Sequence, residues 1–205
     1  MSRRLLLALS ALALVLAGAI GYLWFLTSAP GVTTQGKALI GGPFKLASAS
    51  GAVVDSESLK GKPYVIFFGF THCPEVCPTT LYALTSALKD MGEVAKDIPA
   101  FFVTVDPDRD TAQALKDYMA SFDNRVVALR PANAEELAAI TKTFRVFYRK
   151  VPTSDGSYTM DHTALVYLMD KNGDFFGTLA NGEDAATMKG KLERLAAQKT
   201  GWLSN

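Results

Sequence analysis

Cysteine and histidine are scarce in this 205-residue chain, with only two of each. A disulfide scaffold needs several cysteine pairs, and a structural zinc site usually needs a second pair of ligands. No basic run or stripe of basic and aromatic residues follows residue 35, and the formal net charge is only +1. These scarcities argue against a disulfide-rich module, a structural zinc domain and a nucleic-acid-binding protein.

Repeats, low-complexity segments and a second linker are also missing from the sequence. The breaker-rich stretch TSAPGVTTQGK, residues 27–37, predicts a linker that leads into one domain over residues 38–205. Apolar residues make up 49% of the chain and charged residues 20%. This composition is sufficient for one well-buried domain but hardly for two.

Charge is absent from residues 5–26, LLLALSALALVLAGAIGYLWFL. An apolar run of about 20 residues can span a bilayer, whereas the cores of signal peptides are shorter. Two arginines lie within residues 1–4, and the next charge is Lys37, so the positive-inside rule predicts a cytoplasmic N-terminus. We therefore expect a single-pass anchor in a bacterial inner membrane with a periplasmic domain. Cleavage near Ala17-Gly18-Ala19 is the alternative.

The remaining sequence alternates between strand and helix patterns. The apolar runs YVIFFGF and AFFVTV predict strands that are buried on both faces. Asp110 and Asn133 are predicted to cap helices, and the polar segment 151–159 is predicted to be a loop. The predicted order β-β-β-α-β-α-β-α-β-β-α indicates an α/β fold with a mixed sheet and helices on both faces. The predicted strands are residues 44–48, 52–55, 64–70, 100–105, 126–129, 163–169 and 174–179, and the predicted helices are 78–91, 110–121, 133–144 and 183–199.

Both cysteines lie in GFTHCPEVCP, residues 69–78, where a buried strand is followed by a helix. Open α/β sheets place their sites at this edge. Pro78 suits the first helical position, which would put Cys77 at or beside the helix N-cap. Because free N–H groups and the helix dipole favour anions there, we expect a lowered pKa for the thiols and a reactive pair.

The spacing of Cys73 and Cys77 favours a metal over a disulfide. Residues four apart on a helix have Cβ atoms about 5–6 Å apart. A relaxed disulfide needs about 3.5–4.5 Å. Two thiolates on a trigonal metal are about 4 Å apart, which the wider spacing meets more easily. Pro74 interrupts regular helix, so reversible oxidation stays open, while the cysteine pattern of a peroxidase is absent.

Two thiolates need a further ligand, and the candidates are His72, His162 and Met160. His72 is adjacent to Cys73, and neighbouring side chains in an extended loop point apart. A blue-copper site using both histidines and Met160 would leave one cysteine unused. His162 with the two thiolates gives a soft three-coordinate set that suits Cu(I) and accepts Cu(II). Asp161 could orient the imidazole of His162 or cap a turn.

Three stretches of the sequence together resemble a known family. They are GKPYVIFFGFTHCPEVCPTTL (residues 61–81), VTVDPDRDT (103–111) and MDHTALVYLMDKNG (160–173). The combination resembles the Sco/SenC proteins, copper-binding assembly factors with a thioredoxin-like fold. The resemblance covers about residues 38–200 together with the N-terminal anchor.

The resemblance implies a thioredoxin-like mixed sheet flanked by helices, preceded by a transmembrane helix. It implies copper bound by Cys73, Cys77 and His162, with Asp106 near the metal or facing a partner. Members deliver copper to the binuclear centre in subunit II of cytochrome c oxidase, or reduce its cysteines. We therefore expect a monomeric metallochaperone that meets other copper chaperones or thiol reductants. The redox-active pair Cys73 and Cys77 leaves a thiol-disulfide oxidoreductase as the alternative.

Overall fold

The computed structural model describes residues 14–19, 22 and 40–198. The described residues of the N-terminal part are helical. Most of the predicted anchor at 5–26 and all of the predicted linker at 27–37 lie outside the described residues, as do residues 1–4. Within the described ranges, no helix combines the length and the apolar character that crossing a bilayer requires.

The chain divides into two compact units, residues 1–36 and residues 37–205. The second unit holds the strands and helices described below. The strands are β1 (Lys45–Ser48), β2 (Val53–Asp55), β3 (Tyr64–Gly69), β4 (Ala100–Thr104), β5 (Val126–Arg130), β6 (Tyr148–Pro152), β7 (Tyr158–His162), β8 (Leu165–Met169) and β9 (Phe175–Ala180). The helices are α1 (Val76–Asp90), α2 (Ala112–Met119), α3 (Ala134–Thr143) and α4 (Ala185–Ala197), with 3-10 turns at Ser56–Leu59 and Gly92–Ala95.

Seven strands form a mixed sheet in the order β2-β1-β5-β4-β3-β8-β9. The pairs β3-β4 and β4-β5 are parallel, and the outer pairs are antiparallel. Every residue of β3 and β4 is buried, as their continuous apolar runs predict. The strand that precedes the cysteines is therefore held on both sides and on both faces, which gives the cysteine loop a rigid base.

Two aromatic layers cover the opposite faces of the sheet. Phe67 contacts Phe102, which contacts Tyr118 of α2. Phe68 points the other way and contacts Phe144, the C-cap residue directly after α3. Because neighbouring side chains of a strand alternate between faces, α2 and the end of α3 pack on opposite sides. The predicted mixed sheet with helices on both faces is confirmed.

Strands β6 and β7 were not predicted. They form a separate antiparallel sheet in which Tyr148 pairs with His162, and the predicted loop 151–159 covers parts of both strands and their turn. Neither strand carries a continuous apolar run, and Pro152 lies within β6, so the pattern of apolar residues gave no strand signal. Consequently, His162 ends a strand of its own rather than directly preceding β8.

Two predicted helix starts are wrong, and one is confirmed. Helix α1 begins at Val76 after its N-cap Glu75, two residues before Pro78, so Cys77 is the second residue of the helix and lies neither at nor beside the N-cap. Helix α2 is capped by the Thr111 hydroxyl, which accepts from the Ala114 N–H. Asp110 cannot serve as the cap because its carboxylate is buried and bonded elsewhere. The Asn133 side chain caps α3, as predicted.

Candidate thiol and metal centre

The junction of β3 and α1 holds the two cysteines in different environments. Cys73 is partly exposed in the loop, whereas Cys77 in the first turn of α1 is fully buried. The Cys77 backbone N–H donates to Cys73 Sγ over 3.3 Å. A helix N-terminus offers unpaired N–H groups, so this contact favours the thiolate form of Cys73.

Gly69 provides the space for the buried thiol. A Cβ atom at this position would lie 2.8 Å from Cys77 Sγ and 2.7 Å from a ring carbon of Phe102. Both distances are shorter than a normal contact, and both neighbours are held in the core. The missing side chain of Gly69 therefore allows Cys77 to lie directly against the sheet.

His162 completes the cluster from a distant part of the chain. Its Nε2 lies 3.6 Å from Cys77 Sγ, although the two residues are 85 positions apart. Its Nδ1 is 3.0 Å from the Thr163 carbonyl oxygen, which can only accept, so Nδ1 carries the proton. In the neutral ring, the lone pair is then on Nε2 and faces the thiol. This is the tautomer that a metal ligand needs.

The pKa of the two thiols shifts in opposite directions. The pKa of Cys73 is lowered to about 4, mainly because the Cys77 thiol donates to it, with smaller help from backbone N–H groups. The pKa of Cys77 is raised, because it is that donor and because it is buried. The expected lowering of the thiol pKa is therefore confirmed for Cys73 and wrong for Cys77. Cys77 is buried in the first turn of α1, and burial there opposes a second negative charge beside the Cys73 thiolate.

The residues present fit a soft metal. A trigonal ion with one thiolate and one imidazole bond separates sulfur and nitrogen by about 3.7 Å. The 3.6 Å between Cys77 Sγ and His162 Nε2 matches this value. In the described part of the chain, no group of three or more His, Cys, Asp or Glu side chains is already gathered around a metal position. Cys77 Sγ and His162 Nε2 therefore lie at the separation that two ligands of one metal ion need, and the more exposed Cys73 lies beside Cys77.

Asp106 does not face a partner, because its side chain is fully buried. The Tyr158 hydroxyl donates to its Oδ1 over 2.9 Å, and Arg109 Nε donates to its Oδ2. The carboxylate therefore joins the loop after β4 to the first residue of β7.

Asp110 holds the start of the cysteine loop and was missed as a site residue. The Thr71 N–H and hydroxyl donate to it over 3.0 and 2.6 Å, and the Thr104 hydroxyl donates over 2.5 Å. The one indication of this role in the sequence was that Asp110 belongs to the DPDRDT motif. An aspartate at this place is equally suited to cap a helix.

The other candidate residues have partners other than the thiols. The Asp161 carboxylate is paired with Arg149 on the exposed side of the hairpin, while His162 Nδ1 bonds to a backbone carbonyl instead. Asp161 therefore does not orient the imidazole. The half-exposed His72 lies 3.0 Å from the Thr71 hydroxyl, and the buried Met160 lines a separate cavity of about 300 Å³.

Comparison with known proteins identifies the family. Residues 32–197 match the family model described as SCO1/SenC. The chain belongs to the SCO1/SenC family. It is 38% identical to an SCO2-like protein of Rickettsia prowazekii over 143 residues, which is 69% of each chain. It is 34% identical to the mitochondrial SCO1 homolog of Homo sapiens, covering 75% of this chain but only 53% of the human protein.

Solved structures of SCO1/SenC proteins share the fold. A Bradyrhizobium japonicum ScoI with copper bound is 46% identical, with a TM-score of 0.70 over 76% of this chain and 99% of that one. Yeast Sco1 with copper bound is 29% identical, with a TM-score of 0.69 over 80% of this chain and 91% of that one. These similarities confirm the predicted family and the thioredoxin-like sheet flanked by helices.

Proposed function

We propose that this protein is a copper-binding assembly factor of cytochrome c oxidase. In this proposal it binds copper through Cys73, Cys77 and His162 and delivers it to the binuclear copper centre of subunit II. The observation that carries the proposal is the 3.6 Å approach of His162 Nε2 to Cys77 Sγ, with the lone pair facing the sulfur. Membership in the SCO1/SenC family and similarity to copper-bound Sco proteins support it.

The different burial of the ligands suits a cargo that must be released. Two thiolates and one imidazole are soft donors that favour Cu(I). Cys73 is partly exposed, so an acceptor thiolate can replace it first. Cys77 is fully buried and His162 is packed against Phe67 and Phe70, so these two donors would hold the ion until the acceptor has bound.

A thiol-disulfide oxidoreductase that prepares the same target is the second candidate, favoured by the difference between the two thiols. The thiolate of Cys73 would attack a disulfide of the target and form a mixed disulfide, releasing one target thiolate. Cys77 would then pass its proton to the target thiolate released first and attack Cys73 Sγ, releasing the second target thiolate. The target gains two electrons, and the chain is left with a Cys73–Cys77 disulfide.

The uncharged run at residues 5–26 supports a place in a membrane. We propose a single-pass protein of a bacterial inner membrane with the thiol centre on the periplasmic side. In a mitochondrion the same orientation would face the intermembrane space. Thiols there require protection from oxidation, which bound copper or a reductant provides.

Cu(I) affinity of the reduced, full-length protein in detergent tests the metal site. Competition with a chromogenic Cu(I) chelator under anaerobic conditions is expected to show strong binding by wild type and a large loss in Cys73→Ser and His162→Ala. His72→Ala is the matched control, because it removes the other histidine of the chain from a position beside Cys73. If His162→Ala and His72→Ala bind equally well, the three-ligand site is wrong.

The same variants separate copper delivery from thiol reduction. His162→Ala is expected to keep forming the Cys73–Cys77 disulfide while failing to transfer copper to reduced subunit II. If His162→Ala supports oxidase assembly as well as wild type, and the reduced protein rapidly reduces a subunit II disulfide, the oxidoreductase is the correct function.

A further inference from the structure

The β6–β7 hairpin, which carries His162, needs contacts outside its own two strands to be held in place. Among the described residues, β6 and β7 form backbone pairs only with each other and not with the seven-stranded sheet. A two-stranded hairpin alone is marginally stable in water. His162 is the last residue of β7, so contacts other than sheet hydrogen bonds must fix its position relative to Cys77.

Arg109 supplies such contacts to the first residue of β7. Its Nη1 donates to the Tyr158 carbonyl oxygen over 2.7 Å, and its Cζ lies 3.7 Å from the centre of the Tyr158 ring. Its Nε donates to Asp106, which also accepts from the Tyr158 hydroxyl. The guanidinium therefore binds Tyr158 by its backbone and its ring at once, four residues before His162.

The same guanidinium also reaches the thiol side of the centre. Its Cζ lies 5.9 Å from the centre of the Phe70 ring. Phe70 meets the His162 ring edge-on at 5.7 Å, and its carbonyl oxygen accepts from the Cys73 N–H. Arg109 is thus in contact with residues on both sides of the gap between histidine and thiols.

The position of Arg109 carries a free-energy penalty at one nitrogen of its guanidinium. Its Nη2 is buried and has no hydrogen-bond partner among the described residues. An unsatisfied buried donor destabilises the folded state, so the remaining contacts of the side chain must outweigh this loss. Lysine could not make these contacts, because it lacks a planar group that can stack on the Tyr158 ring and donate hydrogen bonds from two of its nitrogens at the same time.

We propose that Arg109, acting through Tyr158 and Phe70, is a positioning residue that holds His162 Nε2 within 3.6 Å of Cys77 Sγ. The inference rests on the proposed copper site and adds a residue that binds no metal itself. Lys150 is the other cation at Tyr158: its Nζ lies 4.8 Å from the centre of the Tyr158 ring and 2.6 Å from Asp108, but Lys150 and Asp108 are both exposed. An exposed ion pair contributes little, so Arg109, whose side chain is only 20% exposed, is the attachment that matters.

The test compares Arg109→Ala, Arg109→Lys and Tyr158→Phe in the full-length protein, with Lys150→Ala as the matched control. Arg109→Ala is expected to lower Cu(I) affinity roughly 10–100-fold, the range for residues that orient metal-bound histidines. Arg109→Lys should restore little of the affinity despite its charge. Tyr158→Phe keeps the stacked ring and should lose less, and Lys150→Ala should behave like wild type.

A double-mutant cycle decides whether Arg109 acts through His162. In the His162→Ala background, Arg109→Ala is expected to have almost no further effect on Cu(I) affinity. The absorption spectrum of the Cu(II) form should also change in Arg109→Ala towards that of His162→Ala. Equal losses in both backgrounds, or a loss of folding stability with unchanged spectrum and affinity, would overturn the proposal.

A measurement without copper separates this inference from the proposed function. NMR of the reduced, metal-free protein should show cross-relaxation between the ring protons of Phe70 and His162, and Arg109→Lys should weaken it. If the contact persists in Arg109→Lys and Tyr158→Phe, the positioning role is wrong even when copper binds. If the contact is lost but wild type binds no copper, only the proposed function fails.

Discussion

At the scale of single residues, neighbouring atoms rather than residue types determine what each thiol does. Cys73 and Cys77 are chemically identical, but one is a partly exposed acceptor and the other is a buried donor. His162 is prepared as a ligand by one backbone carbonyl, which fixes the proton on Nδ1. These differences lead to two predictions, one on protonation and one on packing.

Alkylation of Cys73 in the reduced, metal-free protein should persist far into the acid range. Only the thiolate reacts, and the lowered pKa of Cys73 keeps it ionised above about pH 4. The rate measured with iodoacetamide should therefore fall only near that pH. In Cys77→Ala the donating thiol is lost, so the midpoint should rise towards the ordinary value of about 8.5. An unchanged midpoint would mean that Cys77 does not stabilise the thiolate.

Gly69→Ala should destabilise the protein by about 1–3 kcal/mol, the usual cost of overpacking a core. The added methyl group would lie 2.8 Å from Cys77 Sγ and 2.7 Å from the Phe102 ring, so both would have to move. Urea unfolding measures the loss. Gly177→Ala in β9 is the control, because a Cβ there has no atom within 4 Å. Equal stability of the two variants would show that the space at Gly69 is not needed.

At the scale of elements, the loop DPDRDT joins the two halves of the centre. Asp110 fixes the cysteine loop through Thr71, and Asp106 and Arg109 fix β7 through Tyr158. One short segment after β4 therefore sets the distance between residues on α1 and β7. The sequence indicated that the motif was unusual, but it could not show which partner each carboxylate would meet.

Asp110→Asn should reduce the free energy of unfolding by about 1.5–3 kcal/mol, the range for hydrogen bonds to a charged group. The buried carboxylate accepts three hydrogen bonds, and an amide would place donors against some of those donors. Chemical unfolding provides the measurement. Asp117→Asn, on the exposed side of α2 with Gln113 as its partner, should be nearly neutral. A neutral Asp110→Asn would show that the cysteine loop is held by other contacts.

At the scale of the whole molecule, the sequence indicates two parts with separate tasks. The uncharged run at residues 5–26 predicts an anchor, and residues 37–205 form a compact unit that contains the centre. A domain with its own core is expected to fold without its anchor. The copper affinity of the domain should therefore not depend on the N-terminal residues.

Deletion of residues 1–36 should release the protein from membranes without altering Cu(I) affinity or thermal stability. The full-length chain is expected to stay in the membrane fraction after an alkaline carbonate wash, while residues 37–205 are expected in the soluble fraction. Extraction of the full-length chain by carbonate would contradict the anchor. A truncated chain that unfolds or loses affinity would contradict the independence of the domain.

The sequence by itself determined the elements with strong periodic or apolar patterns. The buried runs of β3 and β4, the α1 and α4 helices and the Asn133 cap all follow from local preferences and burial. The residue types of the candidate ligands, Cys73, Cys77 and His162, could also be read from the sequence and its family resemblance. Local patterns suffice for these features because each depends on neighbours along the chain.

Only the tertiary structure decided how the parts of the centre meet. The β6–β7 hairpin lacks an apolar run, and its position depends on the contacts of Tyr158 with Arg109 and Asp106, which are 49 and 52 residues away in sequence. Helix α1 starts at Val76, two residues earlier than Pro78 suggested, and Cys77 is buried in its first turn, which gives the two thiols opposite pKa shifts. Burial and hydrogen bonding between distant residues are properties of the packed chain, so no local pattern encodes them.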